Sequence, residues 1–222
     1  MVYRKSEKRE NLKKANRDKI VKAAITIFGN DGLDTANVRE IIKVSGVSAG
    51  SFYSFFKNKE EVFNYILDNI LVDLRDTGRQ LWREAFGGQR SFESGFEEFF
   101  KAIRSNPEYM RFMARNQAHI RNLRYEGRIT PFLQSLEEDI EHSVREKNLP
   151  PVPVKFLTVV IFGMVFEYIA DMVVTPEKVD IHEVSVNLSG FIRGGLMLLA
   201  LEKGARNISA QILSVLGLKN TF

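Results

Sequence analysis

"VREIIKVSGVSAGSFYSFFKNKEEVF", residues 38–63, is the stretch on which the fold turns. Val38, Ile41 and Ile42 recur at helical spacing, and Asn37 with Glu40 makes the pattern of a capping box, with Thr35 as a competing cap. A helix is expected over 35–45, closed by Gly46, then a turn Ser45-Gly46-Val47, then a second helix over 48–56 capped by Ser48. At about 100° per residue, Phe52, Phe55, Phe56 and Ser48 share one side of that second helix. Gly50 and Ser54 fall opposite, flanked by Tyr53, Lys57 and Ser51, so the outer side is nearly bare backbone. A bare helix start can press into a groove of duplex DNA, where Ser48 and the first free N–H groups can hold a phosphate. Two short helices across a glycine turn make a helix-turn-helix, whose second member enters the major groove.

Outward from this stretch, helical periodicity continues and strand alternation is almost absent. Upstream, Ile20, Ala23, Ala24, Ile27 and Phe28 form one stripe that stops at Asn30-Asp31-Gly32. Downstream, a long helix is expected from Lys59 to about Ala85, ended by Gly87-Gly88. "SFESGFEEFFKAIRS" follows, then a helix opened by Pro107 in "PEYMRFMARNQAHI", then "ITPFLQSLEEDIEHSVREKN" stopping before Pro150-Pro151. Two apolar helices, about 154–174 and 180–203, and a short piece "ISAQILSVLGL" complete an all-α chain of about nine or ten helices.

With 222 residues, 44% of them hydrophobic, the chain can bury real cores. It has no cysteine, which removes disulfides, thiolate metal sites and a cysteine nucleophile. The charged start lacks the apolar core of a secretory signal. The run "FLTVVIFGMVF" (156–166) is shorter than the roughly 18–20 residues of a membrane span. A cytoplasmic protein without membrane contact is expected. The formal charge is +4, and its excess sits at the front: Arg4, Lys5, Lys8, Arg9, Lys13, Lys14, Arg17, Lys19 and Lys22 stand against Glu7, Glu10 and Asp18. Such a basic start attracts polyanions.

The ordered series V-R-E-I, S-G-V-S, G-S-F-Y and K-N-K-E-E-V-F within 38–63 resembles the signature of the TetR family of bacterial transcription regulators. The likeness is strong over 16–66 and architectural beyond. It implies a basic amino-terminal arm (1–15), a three-helix DNA-binding domain with the helix-turn-helix (16–62), and a helical effector-binding and dimerisation domain (63–222). By position it implies that Ser48, Ala49, Gly50 and Ser51 begin the recognition helix, that Tyr53 bonds a phosphate, and that Lys59 clamps the DNA backbone. Thr35, Asn37, Arg39, Ser54 and Lys57 complete the expected DNA-binding set. Departures from the family pattern include Ala36, Ile42, Phe55, Ala49 and Ser54. They leave few bidentate base contacts. Ser51 and Ala49 are therefore the expected base readers, Ala49 against a thymine methyl, with DNA shape and the basic arm adding discrimination.

The last two long helices carry more hydrophobic circumference than a one-sided surface helix needs, which suits an isologous homodimer that spaces two reading helices on a palindromic operator. An aromatic and Met-rich set, Trp82, Phe96, Phe99, Phe100, Met110, Met113, Phe132, Phe162 and Phe166, with Glu167 as a polar contact, is expected to line a site for a small hydrophobic effector. The region from Ser105 to Ile140 also resembles TetR-family repressors of fatty-acid biosynthesis, which implies a fatty acyl thioester such as acyl-CoA, with Arg104, Arg111, Arg115 or Arg121 at its anionic head. A domain that binds a partner protein in place of a small ligand is the alternative. Glu138, Asp139 and His142 make half a metal site at most, and Glu167 with Asp171 is the one carboxylate pair within an apolar helix. No phosphate-binding glycine loop or hydrolase motif occurs, so neither catalysis, a cofactor nor a metal is expected.

Overall fold

The computed structural model describes residues 2–86 and 91–202, with side chains over 9–85 and 91–198. Gly87-Gly88 and the segment "ISAQILSVLGL" lie outside the described residues. Among those described there is no strand; the helices are α1 (Val2–Asn30), α2 (Val38–Ser45), α3 (Ala49–Tyr53), α4 (Lys59–Phe86), α5 (Phe92–Arg104), α6 (Pro107–Arg115), α7 (Gln117–Tyr125), α8 (Thr130–Arg145), α9 (Val154–Val174) and α10 (Ile181–Glu202). A short 3-10 turn, Pro176–Lys178, precedes α10.

α1 already begins at Val2, so the basic amino-terminal residues stand on a continuous helix. Two local expectations are corrected. α3 is shorter than 48–56: after Tyr53 the chain tightens, with Ser54 N–H donating to both Gly50 and Ser51 carbonyls and Phe55 N–H to Phe52. The single helix expected from Pro107 is two, broken at Asn116, which closes α6 and opens α7. Of the two caps weighed for α2, Asn37 is the one used, accepting the Glu40 N–H at 3.0 Å, while Thr35 donates back to the Asp31 carbonyl.

The chain forms two compact units. The first comprises Met1–Leu74, Ala102–Thr130 and Glu167–Lys178. Its core begins with Ile20, Ala24 and Phe28 of α1, meets Ile41 and Phe52 of α2 and α3, and continues through Phe63 of α4 to Phe112 of α6, all fully buried. Phe63 stacks on Phe112 at 4.7 Å between ring centres, and Phe28 meets Phe63 edge-on at 5.6 Å. α1 lies so close to α6 that a Cβ on Gly29 would stand 3.4 Å from Phe112 N. The unit thus runs past the boundary expected at residue 62. Helices as short as α2 and α3 bury little apolar surface, and α6 and α7 close the core they leave open.

The second unit comprises Arg75–Lys101, Pro131–Phe166 and Val179–Phe222. Trp82 of α4 packs against Phe96 at 4.6 Å and Phe99 at 5.5 Å. Asp139 of α8 is buried, and two guanidinium groups meet it: Arg83 at 3.1 Å and Arg79 at 3.5 Å. Arg79 also donates to Ser135 at 2.8 Å. Large apolar side chains remain exposed on α9 (Phe156, Val159) and α10 (Val186, Phe191, Leu198), beside glycines 190, 194 and 195, whose missing Cβ atoms would meet nothing within 4 Å.

α9 contributes to both units. Its 21 residues and mean hydropathy of 2.0 match a bilayer span by length and composition, longer than the apolar run alone suggests. A third of its most apolar window is buried, with Leu157 and Ile161 in the core of the second unit and Ile169 and Met172 in that of the first.

Candidate nucleic-acid interface

The candidate reading face is assembled from α2, α3 and the loop that leads into them. α2 is held at both ends, by the Asn37 cap and by Gly46, which takes φ 67° and donates its N–H to the Ile42 carbonyl at 3.1 Å. Ser48 then caps α3, its Oγ accepting the Ser51 N–H at 3.1 Å. Phe52 is fully buried beneath the helix, which turns Ser48, Ala49, Gly50, Tyr53 and Ser54 to solvent. Ser51 is half-buried, and nothing lies within 4 Å of the Cβ position of Gly50. Tyr53 is 58% exposed, its ring set edge-on against Phe52. At the start of α2, Thr35, Asn37 and Arg39 are exposed around a buried Ala36. Lys57, almost fully exposed, approaches Glu61 only at 3.7 Å, a solvent-screened pair that leaves its charge available.

Lys59 is turned inward. Its ammonium donates to the carbonyls of Leu33, Asp34 and Ala36 at 2.8, 3.0 and 3.0 Å, which uses all three of its protons within the protein. The same loop is gripped from the opposite direction by Asn116, whose Oδ1 accepts the Leu33 N–H at 2.8 Å while its Nδ2 donates to the Phe28 and Phe112 carbonyls at 2.9 and 2.8 Å. The segment between α1 and α2 therefore has its backbone groups paired from α4 and from the α6–α7 junction. That pairing fixes where α2 starts, and with it the attitude of α3.

Residues 20–66 match the family model described as bacterial regulatory proteins, tetR family. The chain carries the DNA-binding domain of the TetR family. The chain is similar to YvdT of Bacillus subtilis (strain 168), an uncharacterized HTH-type transcriptional regulator, at 36% identity over 59 residues, 27% of this chain and 30% of that one. Similarity to the HTH-type transcriptional repressor KstR2 of Mycolicibacterium smegmatis is 30% over 89 residues, 40% of this chain and 43% of that one. The chain thus matches less than half the length of these curated relatives. In fold, it resembles the fatty acid degradation regulator FadR from Bacillus halodurans with a TM-score of 0.65 at 21% identity, over 82% of this chain and 96% of that one.

Outside the TetR-family domain, the expected effector residues are distributed over both units. Trp82, Phe96, Phe99 and Phe100 interlock in the second unit and are buried. Phe162 stacks on Phe166 at 5.5 Å and meets Phe132 at 6.0 Å, also in the second unit. Met110 and Met113 are buried in the first unit. Glu167 is exposed and ion-paired with Arg121, with Gln117 donating to it at 3.3 Å. Asp171 is exposed as well.

Two asparagines escaped the sequence reading. Asn116 is 4% exposed within a run whose apolar neighbours read as one helix; a polar residue at an inward position was the signal of a break. Asn16 lies four residues before Ile20, on the buried side of α1, and donates from Nδ2 to Ser51 Oγ at 3.4 Å.

Proposed function

We propose that this chain is a transcriptional regulator, acting as a repressor, that binds palindromic duplex DNA as a homodimer and loosens its hold when a small hydrophobic effector binds. The observation that carries this is the outer face of α3: a helix anchored by a fully buried Phe52 and presenting only Ser48, Ala49, Gly50, Ser51 and Ser54, so that its backbone can approach base edges closely. Tyr53, Arg39 and Lys57 flank it as phosphate contacts, and the helical basic extension of α1 adds charge along the duplex. Lys59 serves by holding the loop before α2.

The exposed apolar residues of α9 and α10 in the second unit are the proposed dimer face. Phe156, Val186, Phe191 and Leu198 supply the apolar area, and Gly190, Gly194 and Gly195 permit close helix approach. The effector reading rests on the aromatic clusters of the second unit and on the fatty-acid resemblance of residues 105–140. A fatty acyl thioester is the chemistry it favours. Such a ligand works by binding better to the conformation in which the two reading helices miss their half-sites.

Thermal-shift measurements with acyl-CoA of graded chain length, followed by the same compounds in a DNA-binding assay, test the effector reading. A chain-length-dependent rise in melting temperature together with loss of DNA affinity supports it. Unchanged DNA affinity at saturating acyl-CoA of every length overturns it.

A further inference from the structure

Asn16 brings α1 into the reading face. Its side chain is half-buried, and its amide N–H reaches Ser51 Oγ at 3.4 Å, a long contact that strengthens as the face is desolvated. Ser51 is tied down on its other groups: its N–H goes to Ser48 Oγ, and its carbonyl accepts the Ser54 hydroxyl at 2.7 Å. A serine hydroxyl has one proton to give and two lone pairs to receive with. Asn16 occupies a lone pair, and among the described residues the hydroxyl proton is given to no protein acceptor. The Ser51 hydroxyl thus keeps its proton and a single lone pair, and is biased toward donating to whatever covers α3.

We propose that Asn16 is a specificity-determining residue: by supplying an N–H to one of the two lone pairs of Ser51 Oγ, it biases the Ser51 hydroxyl toward donating to a base edge, and so disfavours cytosine at the contacted position. This rests on the reading above, in which α3 enters the major groove. There guanine offers N7 and O6, adenine N7 and thymine O4 as acceptors, whereas cytosine offers only its N4 amino donor. An unconstrained serine rotates to suit either kind of group. With Asn16 on one lone pair, Ser51 has a single acceptor direction left for the cytosine amino group, while its proton remains free to turn toward an acceptor base.

Binding sites selected from a random duplex pool by the full chain, compared between wild type and Asn16 variants, decide the matter. The wild type is expected to deplete cytosine about tenfold at one position in each half-site, symmetrically placed. In Asn16→Asp the carboxylate accepts the Ser51 proton and leaves its lone pairs to the base, so the share of cytosine at that position alone rises about tenfold. The added negative charge lowers affinity for every sequence, which is why the base ratio and not the Kd is read. Asn16→Ala frees the hydroxyl to rotate and relaxes the same position in part; it carries the test if the Asp variant does not fold. Adding Ser51→Ala to Asn16→Asp abolishes the shift. If the wild type selects a site and the Asn16 variants keep its base profile throughout, the inference is overturned while the reading of α3 stands. If the wild type selects no site, both fall.

Discussion

Gly46 and Asn116 show two ways in which one residue holds the reading helix in place. Gly46 sits at φ 67° with open space where a Cβ would be, so a side chain there costs only the left-handed backbone conformation. Gly46→Ala should lower stability by about 1 kcal/mol, seen as a lower urea midpoint at unchanged slope. Asn116 differs, because its amide is buried and pairs three backbone groups. Asn116→Ala strands the Leu33 N–H away from water and takes one of two donors from the Phe28 carbonyl, which keeps the Gly32 N–H, and should cost about 2–3 kcal/mol in the same experiment. If the two losses came out equal, the role given to Asn116 would be wrong.

At the scale of elements, α5 and the start of α10 are joined within the second unit by His182 and Glu97, at 3.2 Å, with Glu93 at 4.0 Å. The hydrogen bond to Glu97 chiefly raises the His182 pKa above 6.5, helped by the charges of Glu97, Glu93 and Asp180. Glu97 is held below 4.5, first by its bond to Lys101 and then by His182. A raised imidazole pKa stabilises the fold fully below its unfolded value and ceases to as pH rises through its folded value; a lowered carboxylate pKa does so above its unfolded value and fails as pH falls through the folded one. The link is therefore strongest between the two, and His182→Gln should reduce the melting temperature more at about pH 5.5 than at about pH 8.5. An equal reduction at both would contradict the pairing. Helix identities were legible in the sequence because caps and stops are local: Asn37, Gly46, Ser48 and Pro107 act where they stand. The loop clamp was not, because Lys59 and Asn116 reach carbonyls and N–H groups 23 to 88 residues away, and spacing carries no trace of that. The exposed outer side of α3 was legible from helical spacing, while its contact with Asn16 depends on how α1 packs.

For the whole molecule, reading a palindrome requires two copies, and the exposed face of α9 and α10 in the second unit is where the second copy is proposed to bind. Phe191, 67% exposed among open glycines, is the point to test. Phe191→Asp should shift the chain from dimer to monomer in sedimentation equilibrium and weaken binding to a full palindrome far more than to a half-site. The most direct measurement of the central claim is a salt titration of duplex binding by the full chain, using genomic fragments, alongside a Gly50→Glu variant that fills the bare face of α3 without touching its core. Binding at low salt that weakens linearly in the logarithm of salt concentration, with a protected footprint of two half-sites, and its loss in a variant that still melts like the wild type, is the predicted result. A wild-type chain that leaves the fragments unbound at low salt, or a Gly50→Glu variant that binds them as well as the wild type, would contradict it.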